Sequence, residues 1–176
     1  MRNNSFLQCQ LDELLESEFS NMSQPNSIEI AFGRRAKRRF GSIRMDGGLR
    51  ARRENRASRI TINGVFRDER IPEEIIRATI AHELCHYAHG FCSPLPQKYK
   101  HPHQGSVVHR ELKGRGLHHL HEYEKIWSKN NWPKIVAQEF PRVARGRRPV
   151  RRSRKASAVP ASMRPGLKLL ADFFKP

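Results

Sequence analysis

Pro72-Glu73-Glu74-Ile75-Ile76-Arg77-Ala78-Thr79-Ile80-Ala81-His82-Glu83-Leu84-Cys85-His86-Tyr87-Ala88-His89-Gly90 is the stretch whose reading decides the fold. Proline belongs at the start of a helix, where its missing N–H costs nothing. Two glutamates in the first turn then meet the positive end of the helix dipole. Ile76, Ile80, Leu84 and Tyr87 recur at helical spacing and make an apolar stripe, and Gly90 supplies the stop. Opposite that stripe runs a polar row of Thr79, His82, His86 and His89. His82 and His86 are four residues apart, so on a helix both imidazoles leave one face, one turn apart. That is the arrangement by which one Zn²⁺ takes two nitrogen ligands. Glu83 is too close to them in sequence for a comfortable third ligand. It is instead suited to act as general base toward a water that the metal activates.

A catalytic zinc needs a third protein ligand and an open position. The candidates are His89, His101, His103, His109 and Glu111. Three ligands from one straight helix do not surround an ion, which counts against His89. A loop through Pro94, Pro96 and Pro102 can return His101 or His103 to the first helix. His109 and Glu111 fall in a second predicted helix, for which Ser106 is the expected cap and Gly114 or Gly116 the end. Geometry favours His103 over Glu111, and both stay open. Cys85 sits inside the motif but points away from the two histidines by helical phase, so it reads as a small buried hydrophobe. The tract His118-His119-Leu120-His121-Glu122 reads as a polar helix face with some capacity for metal.

Working outward, Phe6, Leu7, Leu11, Leu14, Leu15 and Phe19 predict a helix over 6–19. Ile28 to Phe32, Arg39 to Met45 and Ser58 to Asn63 predict strands, the second a partner for the first. Asp46-Gly47-Gly48 is a turn signal, and Asn63 is placed to order the turn before the zinc helix. Residues 119–127 and 133–140 predict two further helices, with Trp127, Trp132 and Phe140 closing the core. From Pro141 to about Met163 the chain is rich in Arg, Ser and Pro and is expected to be disordered. A short amphipathic helix is expected over 166–174. The domain is therefore read as residues 1–140 and the basic tail as 141–176.

In bulk, 176 residues suffice for one core-forming domain, and three cysteines are too few for a disulfide framework. No apolar run is long enough for a membrane span. The N-terminal residues lack the basic-then-apolar order of a secretory signal, so cytoplasmic residence is expected, with nucleoid association allowed by the charge. The formal net charge of +17 is concentrated in two clusters. One runs from Arg34, Arg35, Lys37, Arg38 and Arg39 to Arg50, Arg52, Arg53, Arg56 and Arg59. The other contains Arg142, Arg145, Arg147, Arg148, Arg151, Arg152, Arg154 and Lys155. Such blocks attract polyanions by counterion release, so nucleic acid is the expected partner, with Arg147, Arg148, Arg151 and Arg152 as contacts.

Three segments together carry a resemblance: Ser58 to Asn63, Ile71 to Ile76, and Ala81-His82-Glu83-Leu84-Cys85-His86-Tyr87. They resemble the SprT-like zinc peptidases and the related small YgjP-type metallopeptidases. In those families a strand ending near Asn precedes a Pro-initiated helix with the His-Glu-Leu-x-His core, and a third His follows on a short loop. Pro102-His103-Gln104-Gly105-Ser106-Val107 resembles that last element. Glu18-Phe19 and Arg39-Phe40-Gly41-Ser42 resemble the leading helix and a strand-turn around glycine. The likeness covers roughly residues 10–130. It implies a small α+β, zincin-like domain with a short antiparallel sheet on the zinc helix, His103 as third ligand, and proteolysis of proteins, including those crosslinked to DNA in the Spartan branch. Two features depart from the pattern. The four-cysteine zinc ribbon has no counterpart and a basic segment stands in its place, and Gln104 separates His103 from Gly105. The leading expectation is a zinc endopeptidase acting on a protein or peptide substrate. Its rivals are a nucleic-acid-binding protein with a structural zinc and a hydrolase of a non-protein amide.

Overall fold

The computed structural model describes residues 1–47 and 55–141. The basic run from Arg142, the contacts expected of Arg147, Arg148, Arg151 and Arg152, the helix expected over 166–174, and Gly48, Arg50, Arg52 and Arg53 lie outside the described residues.

The described elements are α1 (Asn4–Glu16), β1 (Ile28–Phe32), β2 (Gly41–Met45), β3 (Ser58–Ile62), α2 (Glu73–Ala88), α3 (Val107–Gly114) and α4 (His118–Glu139). Asn3 caps α1 by accepting from the Phe6 N–H at 3.0 Å, and Leu7, Leu11 and Leu14 face the core. The helix stops at Glu16, short of the predicted Phe19, which is buried in the following turn instead.

The sheet differs from expectation in a way that matters for the site. It is mixed rather than antiparallel, in the order β1-β3-β2. β3 lies at the centre, parallel to β1 (Ile30 opposite Ile60) and antiparallel to β2 (Ile43 opposite Ile60). Thus β1 and β2, read as partners, do not pair. The connection over residues 33–40 carries β2 to the far side of β3, and a buried amide helps to hold it. Asn63 Nδ2 donates to the Ala36 and Arg39 carbonyls, both at 2.7 Å, and Oδ1 accepts from the Ala36 and Val65 N–H groups. Ile60 and Ile62 are fully buried, as a central strand requires.

α2 packs on this sheet and is buried almost all round, with Ile75, Ile76, Ile80, Leu84 and Tyr87 in the core. Thr79, His86 and His89, read as a polar row, are buried too. Gly90 follows the helix at φ +81°, and a Cβ there would stand 2.5 Å from the Pro96 carbonyl oxygen. Two predicted helices are one: α4 runs 22 residues with Pro133 inside it. Phe40, Phe66 and Trp132 stack edge to face at 4.8–5.9 Å, and Trp132 Nε1 donates to the Lys37 carbonyl at 3.0 Å. That contact binds α4 to the 33–40 connection. Trp127 is buried and Phe140 packs at the core's margin. No helix among the described residues is long and apolar enough to cross a membrane.

Candidate metal centre

On α2 the rings of His82 and His86 lie 4.8 Å apart, one turn along the helix. The His103 ring comes within 5.4 Å of His82 and 4.7 Å of His86. Each of the three offers a donor nitrogen, all within 4.8 Å of one another. Nitrogen ligands around a tetrahedral ion at its usual bond length stand about 3.3 Å apart, so modest side-chain rotation closes the set.

His103 reaches this position because the intervening loop is fastened to the end of α2. Lys98 N–H donates to the His89 carbonyl at 3.0 Å, Ser93 Oγ to the Tyr87 carbonyl at 2.8 Å, and Ser58 Oγ to the Cys92 carbonyl at 2.7 Å. The last bond extends a buried polar chain from Tyr87 Oη through Asn26 to Ser58. Ser106 does not cap α3 with its side chain; it lies at φ +59°, and the three-residue turn Gln104–Ser106 leads into the helix.

The donor chemistry suits a metal cation. Burial pushes the His82 imidazolium down to about 3 and that of His86 down to about 4, with the neighbouring imidazoles acting in the same direction. Near neutral pH the rings therefore present lone pairs rather than protons. His86 Nδ1 is buried without a hydrogen-bond partner, so a ring nitrogen at this position has no protein group to satisfy it.

Glu83 is buried against β2, and its carboxyl is raised to about 7. Burial is the largest cause; a hydrogen bond from the Ile43 backbone and the charge of Arg39 oppose it. The close approach depends on Gly41, where a Cβ would stand 2.7 Å from Thr79 Cγ2 and 2.8 Å from Glu83 Oε1. These side chains open into a cleft of about 490 Å³, whose lining includes Arg38, Arg39, Phe40, Phe91 and Glu124.

The other ligand candidates go elsewhere. Glu111 accepts from Arg115 Nε at 2.8 Å and lies 3.3 Å from His89 Nε2, while the His89 ring packs on Tyr99. His101 is exposed and outside the set, and His109 joins a different cluster with His118 and Glu122. Cys85 is fully buried, and burial pushes its thiol up. Of the basic residues, Arg34, Arg35, Lys37, Arg38 and Arg39 are exposed along the connection that borders the cleft. Arg56 instead donates to the Asp46 and Gly47 carbonyls, and Arg59 pairs with Glu29 and Asp46.

Glu124 is a cleft residue that the sequence motifs do not mark. Burial alone lifts its carboxyl to about 7, and it enters the cleft from α4. A signal exists: Glu124 stands between the buried Leu120 and Trp127 at helical spacing, a carboxylate on an otherwise apolar stripe. No family model matches the chain, and no curated protein or solved structure matches it either.

Proposed function

We propose that this protein is a zinc metallopeptidase of the SprT-like kind, hydrolysing peptide bonds with Glu83 as general base. The observation that carries the reading is the convergence of three imidazoles, from His82, His86 and His103, beside one buried carboxylate in an open cleft. A site that only stabilised the fold would have no use for that carboxylate, whose burial is costly. Zinc fits the donor set, since imidazole nitrogen suits it and three protein ligands leave a position free.

When bound, zinc supplies Lewis acidity, lowering the pKa of water and polarising a carbonyl. The chain's own residues do the rest. His82, His86 and His103 hold the ion, and the fastened loop keeps His103 in place. Glu83 accepts one proton from the attacking water as its oxygen bonds to the carbonyl carbon. It then passes that proton to the amide nitrogen as the C–N bond breaks. Gly41 lets β2 lie close enough for the Ile43 N–H to orient the carboxylate. The exposed Arg34 to Arg39 connection beside the cleft favours acidic substrates or proteins held on nucleic acid.

The test is bound zinc together with casein and histone cleavage, with and without single-stranded DNA, for wild type and Glu83→Gln. Loss of cleavage with zinc retained is expected. Equal cleavage by the variant sinks the mechanism.

A further inference from the structure

Outside the cleft, a second cluster repeats the arrangement of the first. His118 and Glu122 stand one turn apart on α4, and His109 meets them from α3. Their donor atoms all lie within 4.8 Å of one another, as those of the first set do. The His109 ring is 5.2 Å from His118 and 4.9 Å from His121. His121 Nδ1 is buried with no hydrogen-bond partner, an orphan polar atom at the edge of the cluster. By contrast the adjacent His119 is engaged elsewhere, with Nδ1 3.2 Å from the Gly116 carbonyl oxygen. The ion pair of Glu122 with Lys125 is a loose one at 3.8 Å.

We propose that His109, His118 and Glu122 form a second site for a divalent transition-metal ion. Two imidazoles and one carboxylate are a borderline donor set that suits Zn²⁺, Ni²⁺ or Cu²⁺. Mg²⁺ and Ca²⁺ require oxygen ligands throughout. Among the described residues no buried glutamate stands beside this set as Glu83 does beside the first, so its role is to join helices. An ion here fastens α3 to α4. His103 is separated from α3 only by the turn Gln104–Ser106, and α4 carries Glu124 into the cleft. Occupancy of the second site therefore fixes two elements that complete the first.

The experiment uses the full chain, stripped of metal and titrated with Zn²⁺ alone by calorimetry. Wild type is expected to bind two equivalents. His118→Ala and Glu122→Gln should weaken one equivalent at least tenfold, while the matched control His119→Ala retains both. His118 is exposed, so its loss does not endanger the core. A His82→Ala/His86→Ala double variant isolates the second site. In it, added zinc should raise the thermal midpoint, and a further His118→Ala should abolish that rise. Unchanged zinc binding in His118→Ala relative to wild type, or no midpoint rise in the double variant, overturns the proposal. Loss of the first-site reading would look different: His82→Ala/His86→Ala would then bind as many equivalents as wild type.

Discussion

The two histidine clusters are built to one plan. Each takes a pair of donors four residues apart on a helix, His82 and His86 on α2 or His118 and Glu122 on α4. Each adds a histidine from a neighbouring segment, His103 or His109. Their surroundings differ. Two of the first set lie on a buried helix, beside the buried Glu83, at a cleft lined by arginines, with His103 entering from an exposed loop. The second is partly exposed and lies on two helices at the surface. Donor spacing alone thus specifies a place for a cation. What turns such a place toward hydrolysis is a carboxylate in low dielectric and room for a substrate.

The sharpest way to break the comparison is to remove what only the first cluster has. Glu83→Gln keeps the shape and removes the proposed base, and kcat should fall by about 10²–10⁴-fold with zinc content intact. Steady-state cleavage paired with metal analysis checks this. If activity and zinc disappear together, Glu83 serves the metal and not the water. Next in size is the third donor. His103→Ala should weaken zinc binding at the first site by more than about 100-fold, since even a partner of a ligand is worth about 10–100-fold. Glu111→Ala should keep the zinc, because Glu111 serves His89 and Arg115. Zinc competition against a chromophoric chelator separates the two variants, and a reversed order would reinstate Glu111 as ligand.

A smaller effect probes how the carboxylate is placed. Gly41→Ala introduces a methyl that meets Thr79 Cγ2 and Glu83 Oε1 at under 3 Å. Over-packing of this kind costs about 1–3 kcal/mol, and displacement of the base should lower kcat about tenfold with zinc still bound. Denaturant melts and kinetics on the same preparation test both halves. A variant as active as wild type would show that the approach of β2 does not position Glu83.

Much of the first cluster was legible because its signals are local. Pro72, Glu73, Glu74 and Gly90 bound α2, and the spacing of His82 and His86 follows from helical pitch alone. The loop prolines made a returning His103 reasonable, yet the choice over Glu111 needed Arg115, which folds back onto Glu111 from beyond α3 and claims its carboxylate. Strand order was not local. Alternation in Ile28 to Phe32 and Ser58 to Ile62 marks strands but not their partners. Those follow the path of the 33–40 connection, where Asn63 grips Ala36 and Arg39 across 24 residues or more. Pro133 suggested a break in α4 that packing around Trp127 and Trp132 overrides. Glu124 escaped notice because only tertiary placement turns a helix glutamate into a cleft residue.

That residue gives the last and smallest prediction, one that tests the desolvation of the cleft by pH. Burial raises the Glu124 carboxyl from an ordinary 4.5 to about 7 in the folded protein. Between those values the folded state holds a proton that the unfolded state has released. The group's contribution is therefore fully present below about pH 4.5 and is lost as pH rises toward 7. Glutamine cannot ionise, so Glu124→Gln removes this loss. In metal-free protein the variant should gain on wild type by about 1–2 kcal/mol between pH 5 and pH 8, a figure discounted for partial exposure. The difference between the two proteins is the proper readout, because other groups give opposing slopes. Glu83, also raised, falls with Glu124, while the depressed His82 and His86 add stability as pH climbs toward 6.5. Subtraction cancels the histidines, while Glu83, which the Glu124 charge helps to raise, contributes to the difference in the same direction. Parallel curves for Glu124→Gln and wild type would mean that its carboxylate is solvated, and the cleft would then hold Glu83 as its single desolvated base.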